Sequence, residues 1–414
     1  MKEVVTMYRA DRCDGQTIVL RNKKWSRPVL EKMRDEYYFK CPTCLEKVVL
    51  KLGHYQSWHF AHRPESDCLS ARTNESAEHL KAKGVIYDWL QASNLKPELE
   101  CYLPELRRRP DICVMIGQKH IVIELQRSNI HPNQFFKRHY AYVDAGYDPV
   151  WIGLQTLVPI TPLSFKTFTQ LDSFLIRPQP VPHSIYFNLS HHQWLISSGF
   201  YYLQARKTLQ WTTHLPLNTS PENIFIHPSK FTINQSSDLK KRNQFLLTYW
   251  KAQTFAKRTK VFLSLTPSEK KMLVQFQTHH LNLNYFPAIC NLPVNTQYLI
   301  DTPPHLWQSW IVLQIINKSP LNSQIHLSMV KDRFDNIFNF YHFTIRPSTK
   351  HRNEIIRQLV EDYLSFLCYF GVLDHVFPGV YEVIHHVTLK KSLSTLICDD
   401  DYILGQLKKY LVSK

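Results

Sequence analysis

Residues 109–127, RPDICVMIGQKHIVIELQR, set an aspartate and a glutamate on two strand-like runs joined by a short polar turn. Residues 112–116 and 121–125 are apolar and rich in β-branched side chains, and Gly117-Gln118-Lys119-His120 supplies the turn, so the spacing predicts a β-hairpin. Asp111 opens the first strand and Glu124 closes the second. In an antiparallel pair the start of one strand lies beside the end of the other, so these two residues become neighbours. Two carboxylates so placed repel unless a cation sits between them. Oxygen ligands suit Mg²⁺ or Mn²⁺, which nucleic-acid phosphates would help to hold. This is the layout of a metal-dependent nuclease core. The same two residues also read as a turn cap and an exposed strand end, so the pattern needs support from its surroundings.

Gln126 follows Glu124 by two residues and shares its strand face. A lysine there would polarise an attacking water; glutamine can orient a water but brings no positive charge. Lys83 and Lys81 are the candidates to compensate. Both belong to Glu75-Ser-Ala-Glu78-His79-Leu-Lys81-Ala-Lys83, the start of a helix expected over 75–92 and capped by Thr73 or Asn74. One carboxylate of this helix could reach the Asp111/Glu124 cation while His79 or Lys83 faces the scissile phosphate. A charged helix face is also commonly just solvated.

Downstream of the hairpin, Pro132 suits the first turn of a second helix, residues 133–145, which Gly146 ends. PVWIGL at 149–154 reads as a buried strand. Helix, strand, strand, helix, strand argues for an α/β fold with helices flanking a small mixed sheet.

Upstream, Cys41-Pro-Thr-Cys44 is followed by His59-Phe-Ala-His62. A C-x2-C knuckle with two further ligands some fifteen residues on can complete a tetrahedral Zn²⁺ site with no open position, which makes the metal structural. Such an ion would hold together a module whose own core is thin. His54 and Cys68 are alternative third or fourth ligands, and ordinary thiols beside two histidines have the same spacing.

The 414-residue chain is too long for one ordinary core. Its apolar runs fall short of the roughly 18 residues that a membrane span needs, and MKEVVTMYRADRCDGQ is no signal peptide, so no membrane association and a cytoplasmic location are expected. Nine cysteines fit a reducing compartment in which some ligate metal. A formal net charge of +16 points to a polyanionic partner, and nucleic acid is the commonest. Between Trp151 and Tyr298, four acidic residues (Asp172, Glu222, Asp238, Glu269) face fourteen lysines and arginines. There Lys240-Lys-Arg242, Lys251, Lys257-Arg258 and Lys260 interleave with Phe245, Tyr249, Trp250 and Phe255. Cations neutralise phosphates and aromatics stack on unpaired bases, although aromatics at helical spacing are more often core.

Three segments result: an N-terminal zinc-ribbon-like module (1–66), a nuclease-like domain (67–156) and a basic, mostly helical region (157–414). Helices are expected in the last at 237–255, 268–278, 353–373 and 392–411. The prolines at 159–162 and 178–182 suggest linker or surface segments.

Taken together, Cys41-x2-Cys44 with His59-Phe-Ala-His62, Glu75-Ser-x-Glu78-His79-x3-Lys83, Arg109-Pro-Asp111, Ile123-Glu124-Leu-Gln126-x-Ser128 and Tyr140-x5-Gly146 leading to Trp151-Ile-Gly resemble the bacterial CoiA competence-protein family. The resemblance covers roughly residues 35–155 with specific motifs. It implies a restriction-endonuclease-like PD-(D/E)xK domain, with Asp111, Glu124 and Glu78 (or Glu75) as Mg²⁺ ligands and Gln126 in place of the usual lysine. It also implies a DNA endonuclease of natural transformation, acting on incoming single-stranded or branched DNA, with a RecA-type recombinase or other competence proteins as partners. The alternative is a non-catalytic recombination mediator that keeps the nuclease fold.

Overall fold

Gly117, with φ at 59°, turns the chain between the strands Ile112–Ile116 and Lys119–Gln126. Ile116 pairs with Lys119, so the loop holds two residues rather than the expected four. A left-handed glycine is what such a tight hairpin demands. The computed structural model that reveals this describes residues 6–21, 25–54, 57–63, 66, 68, 76–155, 159, 161–204, 207–233 and 236–413. Thr73, Asn74 and Glu75 lie outside the described residues.

The chain divides into two units. The first comprises Met1–Ile160, His183–Ile196 and Thr213–Phe231. It opens with β1 (Thr6–Met7), β2 (Arg9–Arg12), β3 (Thr17–Val19), α1 (Arg27–Glu36), β4 (Phe39–Lys40), β5 (Lys47–Lys51) and β6 (His59–Ala61), whose strands form a sheet in the order β1-β6-β5-β4-β2-β3. Next come α2 (Ala77–Ala92), β7 (Glu98–Leu99), β8 (Ile112–Ile116), β9 (Lys119–Gln126), α3 (Pro132–Asp144) and β10 (Asp148–Leu154). Ser76 caps α2, its side chain accepting a hydrogen bond from the His79 N–H. Pro132 occupies the first turn of α3, and Gly146 (φ 83°) follows that helix. The antiparallel β7-β8-β9 meander continues into β10, which runs parallel to β9, with α3 as the crossover.

The sheet does not stop at β10. β11 (Leu163–Thr167), α4 (Gln170–Leu175), β12 (His183–Asn188), β13 (Gln193–Gln204) and β14 (Lys207–Pro216) follow, and the strands complete an eight-stranded order β11-β14-β13-β12-β10-β9-β8-β7. The expected boundary at 156/157 therefore cuts through a sheet, and residues 157–216 are not a helical region. Every residue of His183–Asn188 is buried, so this strand lacks the alternation that would have marked it.

Tyr8, Leu30 and Phe60 from the N-terminal segment share one apolar cluster with Ile86 and Leu90 of α2 and Ile112, Ile123 and Ile152 of the large sheet. The N-terminal module thus borrows a core instead of depending on its own. At Gly84 of α2, an added Cβ would lie 3.0 Å from the Tyr8 hydroxyl and from Arg21 Nε, so this small residue lets the two segments approach.

The second unit comprises Thr161–Pro182, Ser197–Thr212 and Thr232–Lys414. Between α5 (Pro221–Phe225) in the first unit and the C-terminus lie α6 (Ser236–Arg258), α7 (Pro267–Gln277), α8 (Pro304–Gln314), β15 (Gln324–His326), α9 (Leu327–Ile337), α10 (Arg352–Tyr369), β16 (Leu373–Phe377), β17 (Val380–Val383) and α11 (Leu393–Ser413). The four expected helices match α6, α7, α10 and α11. The expectation ran α10 on to 373, but Gly371 (φ 71°) turns the chain into β16. Among the described residues, no helix is long and apolar enough to cross a membrane.

Candidate active site and metal centre

Ile112 pairs with Ile123, so one step further along the meander Asp111 lies beside Glu124, and Glu100 donates its N–H to the Asp111 carbonyl at 2.9 Å. Glu124 is paired with Trp151 on the other side. Three carboxylate residues therefore follow one another across adjacent strands. All three are buried: Glu100 is 1% exposed, Asp111 9% and Glu124 2%.

Two helices meet these carboxylates from different directions. From α2, His79 Nε2 lies 3.2 Å from Asp111 Oδ2, and Lys83 Nζ lies 3.3 Å from Asp111 Oδ1 and 2.6 Å from Glu100 Oε1. From α3, Arg138 forms an ion pair with Glu124 Oε2, and the Tyr142 hydroxyl donates to Glu124 Oε1 at 2.6 Å. Positions 79 and 83, like 138 and 142, are one helical turn apart, which puts each pair on one face. The Leu125 N–H donates to Asp111 Oδ2 at 2.8 Å and ties the two strands together through the side chain.

These contacts split the two carboxyls. Burial works against the Asp111 carboxylate, but His79, Lys83 and the Leu125 N–H outweigh it and hold the group well below the usual range. Burial pushes the Glu124 carboxyl up; Arg138 opposes the shift, and the Asp111 charge adds to it. Two buried carboxylates on adjacent strands offer oxygen donors of the kind that a small divalent cation takes.

Other expected members sit elsewhere. Glu78 pairs with Arg127 at the exposed start of α2. Together with Asp111 and Glu124 it does not form a group tight enough for one ion among the described residues. The carboxylate next to Asp111 is Glu100. Gln126 is half-buried and donates from Nε2 to the Ser128 carbonyl at 2.7 Å. Glu100 carried no sequence signal: its partner Lys83 is 17 residues away, and nothing in LKPELECYL sets it apart from Glu98 or any strand-end glutamate. Arg138 and Tyr142 did carry one, the four-residue spacing on the helix after the hairpin.

In the N-terminal module, Cys41, Cys44, His62 and Cys68 bring one ligand atom each to within 4.8 Å of one another. Cys68 takes the place expected for His59. In an extended segment, residues three apart face opposite sides, so His59 and His62 cannot both address the knuckle. His59 instead sits on β6 with Nδ1 2.8 Å from the Ser57 carbonyl. His54 is outside the cluster as well. The Thr43 N–H reaches Cys41 Sγ at 3.4 Å, as befits a thiolate knuckle. His62 Nε2 is buried with no hydrogen-bond partner, while its Nδ1 faces Ser66 Oγ at 3.3 Å and Glu46 at 3.8 Å. An imidazole oriented on one side by a hydroxyl and a carboxylate, and unsatisfied on the other, is arranged for a metal. Four N/S donors with no fifth position suit a structural Zn²⁺.

Of the other cysteines, Cys101 and Cys113 are joined as a disulfide beside the carboxylate row, and Cys13, Cys290, Cys368 and Cys398 are free thiols.

Three models of one family match successive parts of the chain: the competence protein CoiA N-terminal domain at residues 22–71, its nuclease-like domain at 75–230, and its C-terminal domain at 248–397. The chain belongs to the CoiA competence-protein family. The competence protein CoiA of Bacillus subtilis (strain 168) is 25% identical to it over 356 residues, covering 85% of this chain and 91% of that relative. No solved structure matches the chain. The CoiA nuclease-like match reaches to residue 230 and so takes in the strands β11 to β14, beyond the expected domain end at 156.

Proposed function

We propose that the chain is a metal-dependent DNA endonuclease of natural transformation, working in the cytoplasm on incoming single-stranded DNA or on branched recombination intermediates. The observation that carries this reading is the placement of Asp111 beside Glu124, two buried carboxylates on adjacent strands of the hairpin. Asp111 and Glu124 would hold Mg²⁺ or Mn²⁺. The ion would supply an activated water and charge stabilisation at the phosphate. Lys83 stands where its ammonium orients Asp111 through Oδ1, and it brings the positive charge that Gln126 lacks. His79, one turn away on the same face of α2, fixes Oδ2. Arg138 and Tyr142 hold both oxygens of Glu124 and set its orientation.

Purified protein incubated with single-stranded, duplex and branched DNA and Mg²⁺ or Mn²⁺ is expected to cut, and Asp111→Ala to abolish cutting. Equal cutting by the two proteins would sink the proposal.

A second reading is favoured by Gln126, whose amide is engaged by the Ser128 carbonyl. It makes the chain a recombination mediator that holds single strands, or a RecA-type recombinase, without turnover. DNA binding with steep salt dependence and no cleavage, unchanged in Asp111→Ala, would support it.

A further inference from the structure

The interleaved cations and aromatics of α6 separate in the structure into two groups. Trp250 is 3% exposed and donates its indole N–H to the Asn291 carbonyl at 2.6 Å, so it is core. Phe245 and Tyr249, one turn apart, lie on another side of the helix and meet Phe165 of the edge strand β11. The Phe165 ring is 5.3 Å from Phe245 and 4.7 Å from Tyr249, centroid to centroid. Phe165 and Phe245 remain 36% and 42% exposed. Beneath them Tyr201, Leu209 and Leu246 pack with Leu163 and Tyr249, so the surface rings stand on a solid base.

Cations border this cluster. Exposed Lys241 precedes Phe245 by one helical turn. Lys207, also exposed, is paired with Thr167, two residues from Phe165 and therefore on the same face of the sheet. Along residues 151–298 basic residues outnumber acidic ones fourteen to four, with Lys166, Lys251, Arg258 and Lys260 engaged in ion pairs with Asp172, Asp401, Asp400 and Glu269.

We propose that Phe165, Phe245 and Tyr249, with Lys241 and Lys207, form a binding site for single-stranded DNA in which unpaired bases stack on the rings. The inference rests on the nucleic-acid reading above and gives it a substrate-holding surface outside the carboxylate site. Paired bases in a duplex offer no free face, so these rings select single strands. The charge balance selects a polyanion over an apolar protein surface.

The test uses the full chain without added Mg²⁺ or Mn²⁺ and without chelator, so that binding is read without cutting and the zinc module stays intact, and a fluorescent oligothymidylate of about 20 nucleotides, longer than the roughly 4–16 nucleotides that one OB-fold covers. Phe245→Ala and Phe165→Ala are each expected to weaken oligothymidylate binding about tenfold, at unchanged melting temperature. Duplex binding should stay as it was. Phe245→Trp should retain binding and show quenched emission when the oligonucleotide is added. Lys241→Ala should flatten the salt dependence. Unchanged affinity in Phe245→Ala overturns the proposal. So does an equal loss toward an abasic strand of the same length, which would leave charge alone as the cause. A shift in self-association with DNA affinity intact also overturns it and assigns the face to a second copy of the chain. Cutting by wild type with Phe245→Ala neutral for binding would remove this inference alone; stacking without cutting would remove the nuclease reading alone.

Discussion

Lys83 and Glu100 form an ion pair at 2.6 Å in which each side chain is 1% exposed. The other oxygen of Glu100 accepts the backbone N–H groups of Tyr8 at 3.0 Å and Arg9 at 3.2 Å. One carboxylate thereby joins the N-terminal module, the first long helix and the candidate active site.

Removing one partner of a buried pair leaves a desolvated charge, at a cost of about 3–5 kcal/mol. Glu100→Leu is expected to lose an amount in that range in urea unfolding, softened because Lys83 keeps Asp111 at 3.3 Å. The double variant Lys83→Met/Glu100→Leu should recover part of it, since no unpaired charge is left. Losses that simply add would show that the two groups act independently.

Asp111 gives stability a pH signature. Its carboxyl in the folded chain lies below the unfolded value of about 3.9, so the folded state binds fewer protons in acid. Its stabilisation is complete above that unfolded value and is lost as pH falls toward the folded one. Glu124 works in the opposite sense. With its folded carboxyl raised above about 4.3, its contribution falls as pH rises from the unfolded value through the folded one. Asp111→Asn should flatten the acid limb of a stability–pH curve measured from pH 2 to 7. An acid limb as steep as in the wild type would contradict the linkage.

The hairpin was legible because β-branched apolar runs, a glycine turn and flanking carboxylates all sit within one short stretch. The α2 helix was legible from capping residues and acidic side chains at its start, and α3 from the punctuation of Pro132 and Gly146. His183–Asn188 was hidden because burial on both faces erases alternation. Glu100 was hidden because its role exists only through strand pairing and a distant lysine. Cys68 was open as an alternative from spacing, and the extended geometry of β6 decides in its favour over His59.

That choice is measurable. The chain should purify with about one zinc, bound by four N/S donors. Cys68→Ser and His62→Ala should lower the zinc content and the melting temperature together, whereas His59→Asn should keep the metal. Full zinc in Cys68→Ser, or its loss in His59→Asn, would reverse the assignment. Chelation should also disturb the carboxylate row, because Tyr8 and Arg9 hold Glu100 from the metal-bearing module.

The pair on α3 separates stability from chemistry. Tyr142→Phe removes a hydroxyl that donates to a buried carboxylate, a bond worth about 1.5–3 kcal/mol, and should destabilise the fold by about that much. Arg138→Met removes the cation that opposes the rise of the Glu124 carboxyl, leaving burial and the Asp111 charge to act. Glu124 should then hold its proton to higher pH, so cutting at neutral pH falls and the acid limb of the pH–rate profile moves upward. Raising the pH should restore part of the lost rate in Arg138→Met, whereas in Glu124→Ala it should restore none. A profile that drops uniformly in Arg138→Met, with no displacement along the pH axis, would mean that Arg138 only supports the fold.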